Sequence, residues 1–250
     1  MPIWVEAGLW GGVAGSALLI GAAVGYGTDI SRRLIAGVTA FGGGVLISAL
    51  AFDLMDEAYR RGGFDSTSLG FIAGALMYTI ATIAINRRGA KRRKRSRDQP
   101  TESEHPGSGL ALAIGALIDG IPESIAIGVT MIQSGSVSAV AVVAVFLSNV
   151  PEGLSSAAGM RAAGRSRRYV YGVWSVIAIV SALASVAGYT IFSGLSQEII
   201  AATTAVAAGA ILSMLADTMM PEAFEEAHDW AGLITVAGFL AAFMLSKLSG

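Results

Sequence analysis

Ile118-Asp119-Gly120-Ile121-Pro122-Glu123-Ser124 and Leu147-Ser148-Asn149-Val150-Pro151-Glu152-Gly153 each set a Pro-Glu pair in the middle of an apolar run. Laid over one another, the two pairs coincide and apolar residues flank them alike. Each run is long enough to cross a bilayer as a helix. Three carboxylates, Asp119, Glu123 and Glu152, then fall near the midplane. On insertion scales central charged residues cost about 2.5–3.5 kcal/mol each, on the order of 7–10 kcal/mol for the three. Lipid-facing helices do not carry that cost. The acids are expected to face a protein interior and to meet a cation there, with no intramembrane Lys or Arg as counter-ion.

The rest of the chain agrees with this setting. Of 250 residues 54% are hydrophobic and only 14% charged, with a mean hydropathy of +0.64. A soluble domain carries nearer a quarter charged residues, so an all-α polytopic membrane protein is expected. Alternating strand patterns are absent, which argues against a barrel. The 32 glycines suit helices that pack closely in lipid. With no cysteine, disulfides, thiolate metal sites and thiol redox chemistry are excluded. The first apolar run follows Glu6 and no basic segment, so it reads as a first span and not as a cleaved signal peptide.

Apolar runs of spanning length fall at about 5–26, 34–55, 67–86, 109–132, 136–159, 169–192, 198–220 and 231–248. Eight helices are therefore expected, and Lys and Arg orient them. Of the 17 basic residues, all but Arg60, Arg61 and Lys247 lie in the connections after spans one, three and five. The positive-inside rule puts those connections in the cytoplasm and both termini outside, in the plasma membrane. Residues 86–109 form the one polar linker, with Arg87, Arg88, Lys91, Arg92, Arg93, Lys94, Arg95 and Arg97 followed by an acidic, Pro-containing stretch. Its composition reads as a solvated cytoplasmic loop that fixes topology and favours anionic headgroups. Nothing points to nucleic acid.

An internal repeat adds to the picture. Residues 44–59 align without gaps on 209–224, matching Gly44 with Gly209, Ser48 with Ser213 and Glu57-Ala58 with Glu222-Ala223. Five spans apart, the two stretches run in opposite directions. This is the mark of an inverted repeat, 3+2+3, with residues 1–85 as the first unit, 110–160 as a central pair and 169–250 as the second unit. Asp53, Asp56 and Glu57 then form an acidic outer mouth. Asp217, Glu222, Glu225 and Glu226, joined by His228 and Asp229, form an inner one.

In the central pair, Asp119 and Glu123 share a helix face, and Ser148 and Glu152 repeat that spacing. Pro122 and Pro151 cannot donate to the carbonyls of Ile118 and Leu147, which are freed beside the acids. Carboxylates, the Asn149 carboxamide, the Ser148 hydroxyl and free carbonyls at one depth make an oxygen-rich cation site. The competing reading is a pair of kinked helices whose acids bond to neighbours, or a proton relay.

These residues resemble the ZIP (zinc/iron permease) metal-ion transporters. That family carries His-Asn-x-Pro-Glu-Gly or a close variant in span four and His-x-x-Pro-Glu-Gly in span five. Here Asp119 and Ser148 stand at the two histidine positions and Gly120 at the asparagine position. The resemblance extends over the whole length and includes Pro221-Glu222-Ala223 near the end of span seven. It implies a divalent metal ion as substrate, with Asp119, Glu123, Ser148, Asn149 and Glu152 as ligands, no bound cofactor and no enzymatic activity. A homodimer is an option. Span six offers only Ser175, Ser181 and Ser185 toward a second metal. An all-oxygen ligand set suits manganese, magnesium or ferrous iron, where imidazole suits zinc. The alternative is a metal sensor or membrane interaction protein of the same fold that no longer transports. An intramembrane enzyme has no motif behind it.

Overall fold

The computed structural model describes residues 1–96, 98–101, 103–135, 137 and 139–249, and among them it is helical with no strand. Arg97, in the basic block, and Ser136, at the expected start of span five, lie outside the described residues. The helices are α1 (Ile3–Gly27), α2 (Arg32–Ala49), α3 (Asp56–Ile85), α4 (Ser108–Ser134), α5 (Ala139–Ala162), α6 (Arg167–Phe192), α7 (Gln197–Met214), α8 (Met220–Ala227) and α9 (Ala231–Ser249). Two serines cap the helices they precede: Ser31 accepts from Leu34 N–H at the start of α2, and Ser166 from Tyr169 N–H at α6.

Among the described residues, six continuous helical stretches are long and apolar enough to cross a membrane, against the eight runs expected. The difference lies in two long stretches, Arg32–Ala90 and Gln197–Leu248. Between α2 and α3 the helix runs through a π-helical turn, Leu50–Met55, at the end of the expected second span, and continues from Asp56, where a loop is expected. Paired charges one turn apart, Arg60 on Asp56 and Arg61 on Glu57, carry it further. It breaks only at Gly63, whose backbone (φ 66°, ψ −169°) no α-helix accommodates. The second stretch is built the same way. A π turn, Leu215–Met219, joins α7 to α8, and the chain reverses at His228 (φ 45°) before α9.

Glycines bring the helix backbones together in side-by-side pairs. Side chains at Gly70 and Gly74 would meet the backbone of Ala202 and Val206, and one at Gly209 that of Phe71, so α3 and α7 lie against each other running the same way. By the same test α1 lies along α5 (Gly21 on Val150, Gly25 on Leu154), and α2 along α9 (Gly238 on Phe41, Gly44 on Phe239). In α4 and α6, Gly128 lies on Ser185 and Gly188 on Ile125. The polarity of the molecule is reversed relative to a soluble protein. Leu69, Ile72, Leu76 and Ile80 of α3, and Leu233, Val236 and Leu240 of α9, are exposed, whereas Asp119, Glu123, Ser148, Asn149 and Glu152 are buried. Apolar side chains outward and carboxylates inward is the arrangement that lipid demands, and the protein is membrane-embedded.

Candidate cation site and its basic plug

α4 and α5 place the carboxylates. Each carries its proline inside the helix, Pro122 and Pro151, one position before the glutamate. Asp119, Glu123 and Glu152 are each at most 5% exposed. The first and third sit either side of a single ammonium: Lys94 Nζ lies 2.9 Å from Glu152 Oε2 and 3.5 Å from Asp119 Oδ2. Arg93 takes the rest of Asp119 in a fork, Nε to Oδ2 at 2.8 Å and Nη2 to Oδ1 at 2.9 Å. Tyr78 completes it, donating its hydroxyl to Asp119 Oδ1 at 2.6 Å while accepting from Arg93 Nη2 at 2.9 Å. Arg93 also reaches back to the side-chain oxygen of Asn86 and the carbonyl of Ala90.

Two expectations are corrected here. The acids do have basic counter-ions, and the linker that supplies them is not wholly solvated. Arg93 is 2% exposed and Lys94 5%. Both belong to the cytoplasmic block expected to lie in water. The physical reason is the cost of leaving three carboxylates uncompensated inside the bundle, which a neighbouring chain of cations removes. Burial works against the Lys94 charge, but Asp119 and Glu152 outweigh it and hold the ammonium above its ordinary pKa.

Glu123 stands apart. Among the described residues neither of its carboxylate oxygens has a hydrogen-bond partner, although both are buried and Glu152, Lys94 and Asp119 lie within electrostatic reach. The other expected ligands turn elsewhere. Asn149 donates to the carbonyl of Ala14 on α1 at 2.9 Å, and Ser148 to the carbonyl of Val145 at 2.9 Å. Among the described residues no group of three or more His, Asp or Glu is disposed to hold a metal ion. The geometry therefore sets Asp119 and Glu152 around two cations with Glu123 unpaired beside them, while the Ser148 hydroxyl and the Asn149 amide group give hydrogens to helix carbonyls.

The two mouths differ from expectation as well. At the outer one, Asp56 and Glu57 are taken up by Arg60 and Arg61, because each basic residue stands one helical turn on from its acid. Only Asp53 turns inward. One of its oxygens accepts from Ser246, and the other is buried with no hydrogen-bond partner among the described residues. Asp53 and Glu123 line one narrow cavity of about 20 Å³, walled by Leu46, Leu50, Leu54 and Ile127 and wide enough for about one water. At the inner mouth, Asp217 and Glu222 line a cavity of about 480 Å³ together with Arg93, Lys94 and Arg95. His228 is not among its lining residues; it is exposed at the reversal between α8 and α9, where its positive φ serves the turn.

Sequence reasoning missed Tyr78, Arg93 and Lys94. The excess of buried acid was a signal that cations had to come from somewhere, but eight basic residues in one block offer no pattern that selects two. Phenylalanine in place of Tyr78 is expected to destabilise the protein by about 1–2 kcal/mol, since one hydrogen bond to a charged group is lost within a buried network. Thermal denaturation in detergent measures it. No protein-family model matches the chain, and neither does any curated protein.

Proposed function

We propose that the chain is a divalent metal-ion transporter of the zinc, iron or manganese class, with ZIP-like architecture and no covalent chemistry. The observation that carries this reading is Glu123, fully buried with both oxygens free of partners, beside the acids Asp119 and Glu152. A buried carboxylate without hydrogen bonds is costly, and a cation passing through is a reason to keep one. The oxygen-only donors favour manganese or ferrous iron over zinc.

In this reading the protein has eight spans. A continuous helix of 59 residues would be about 90 Å long at 1.5 Å per residue, three times a bilayer core of about 30 Å. The breaks at Gly63 and His228 fold each long stretch into two crossings. Side-by-side pairs that run the same way, α1 with α5, α2 with α9, α3 with α7 and α4 with α6, agree with that alternation. The 3+2+3 repeat has its own support. The π turns begin at Leu50 and Leu215, which are equivalent positions of the two aligned stretches. π turns are rare and cluster at functional sites, so their coincidence is informative. The basic connections then face the cytoplasm, with both termini outside the plasma membrane.

A second reading, a sensor or membrane interaction protein that no longer transports, is favoured by Arg93 and Lys94, which already neutralise Asp119 and Glu152. Flux into liposomes carrying the purified protein separates the two. Wild type is expected to admit Mn²⁺ or Fe²⁺, and the Glu123→Ala/Glu152→Ala variant to lose about 10–100-fold, the usual cost of damaging a metal site. Equal flux from both rules out this site. Tight Mn²⁺ binding without flux favours the sensor.

A further inference from the structure

The turn that carries Arg93 and Lys94 does more than neutralise charge. Gln99 Nε2 donates to the carbonyls of Arg93 (3.0 Å), Arg95 (2.9 Å) and Ser156 (3.1 Å), tying the turn to α5. The Ser155 hydroxyl donates to the carbonyl of Lys94. On the other side the Ser96 amide donates to Glu222 at 3.1 Å, and Arg95 pairs with Glu225 at 2.9 Å. The turn thus bridges α5 and α8, and it separates the buried acids from the inner cavity of about 480 Å³.

Its attachments are polar: side chain to carboxylate, carbonyl to hydroxyl or amide. Water can replace every one of them, so withdrawal exposes little apolar surface. The chain before and after turns at glycines with left-handed backbone, Gly89 (φ 103°) and Gly107 (φ 86°). Lys94 Nζ meanwhile stands between Asp119 and Glu152, where a metal ion ligated by both would have to sit.

We propose that residues 93–96 are a built-in plug: Lys94 acts as a tethered cation that competes with a divalent metal ion for Asp119 and Glu152, and closes the cytoplasmic end until the turn withdraws. The competition rests on the transport reading given above; the closure does not. Opening the inner face and admitting metal are then one event, with the ammonium and the ion excluding each other.

The absence of native cysteine gives a clean test. Ser155, 1% exposed beneath Lys94, is replaced by Cys as the only thiol, and its rate of modification by a polar maleimide is followed on the purified full-length protein. The Ser155→Cys protein is expected to react slowly. Adding Lys94→Gln, or Gln99→Ala, which leaves the carboxylates untouched, should speed the reaction about tenfold or more, because the cost of local opening falls with the pairs removed. Lys94→Arg should keep it slow. Unchanged rates in both the Lys94→Gln and Gln99→Ala proteins overturn the plug. Binding of Mn²⁺ alone, by calorimetry, tests the competition: Lys94→Gln should bind about tenfold more tightly than wild type, as removing a competing charge predicts. Faster labelling with no Mn²⁺ binding by either protein leaves the plug standing and removes the metal reading. Faster labelling with equal Mn²⁺ affinities keeps the closure and overturns Lys94 as competitor.

Discussion

Arg93→Ala is expected to cost about 3–5 kcal/mol of stability, the penalty for stripping one partner from a buried ion pair. The fork from Arg93 supplies two of the hydrogen bonds to Asp119, and Tyr78 orients against both. Alanine leaves Asp119 with the Tyr78 hydroxyl and with Lys94 at 3.5 Å, which Asp119 shares with Glu152. Arg93→Met combined with Asp119→Asn should recover most of the loss, because replacing both charges removes the need for either. Thermal or denaturant unfolding in detergent gives both numbers. A loss under about 1 kcal/mol for Arg93→Ala would mean that Asp119 is hydrated from the inner cavity, as at an exposed pair.

The second large effect is steric and separates the packing of α3 and α7 from simple helix propensity. A methyl group at Gly74 would overlap the carbonyl of Val206, and Gly209 opposite has the same relation to Phe71. Gly74→Ala therefore forces the two helices apart and is expected to cost about 2–3 kcal/mol or more. Gly172, on the exposed side of α6, meets nothing within 4 Å. There alanine should leave stability unchanged or raise it by up to about 1 kcal/mol, its advantage over glycine in a helix. Equal effects at the two positions would show that the close approach of α3 and α7 contributes nothing.

Much of this molecule was legible in its residues. Hydropathy located the apolar helices, and the cost of placing Asp119, Glu123 and Glu152 in lipid predicted that they turn inward, where they are found. Paired charges at Asp56 and Arg60, and at Glu57 and Arg61, were visible as helix spacing, yet the drop in hydropathy there suggested a loop. The helix instead runs to the Gly62-Gly63 pair. The π turns left no trace, since an inserted residue alters hydrogen bonding without altering the apolar pattern. Arg93 and Lys94 were hidden for a different reason. Their partners lie 26 and 58 positions away, and local composition cannot say which members of a basic run fold back. Ser148 and Asn149 also give their hydrogens to the carbonyls of Val145 and Ala14, local bonds of a kind common for polar side chains in membrane helices that the sequence pattern does not announce.

The pairing of Arg93 and Lys94 with Asp119 and Glu152, beside the unpaired Glu123, bears on valence. Two positive charges occupy the chamber, and two leave together if the turn comes out. A doubly charged guest restores the original sum; sodium or potassium leaves it one unit short. In surroundings of low polarisability an unmatched unit charge costs several kcal/mol, a discrimination of a thousandfold or so that needs no particular ion radius. On the proposed transport reading, selection by charge number would follow from how many basic side chains the chamber holds, before any question of which metal fits.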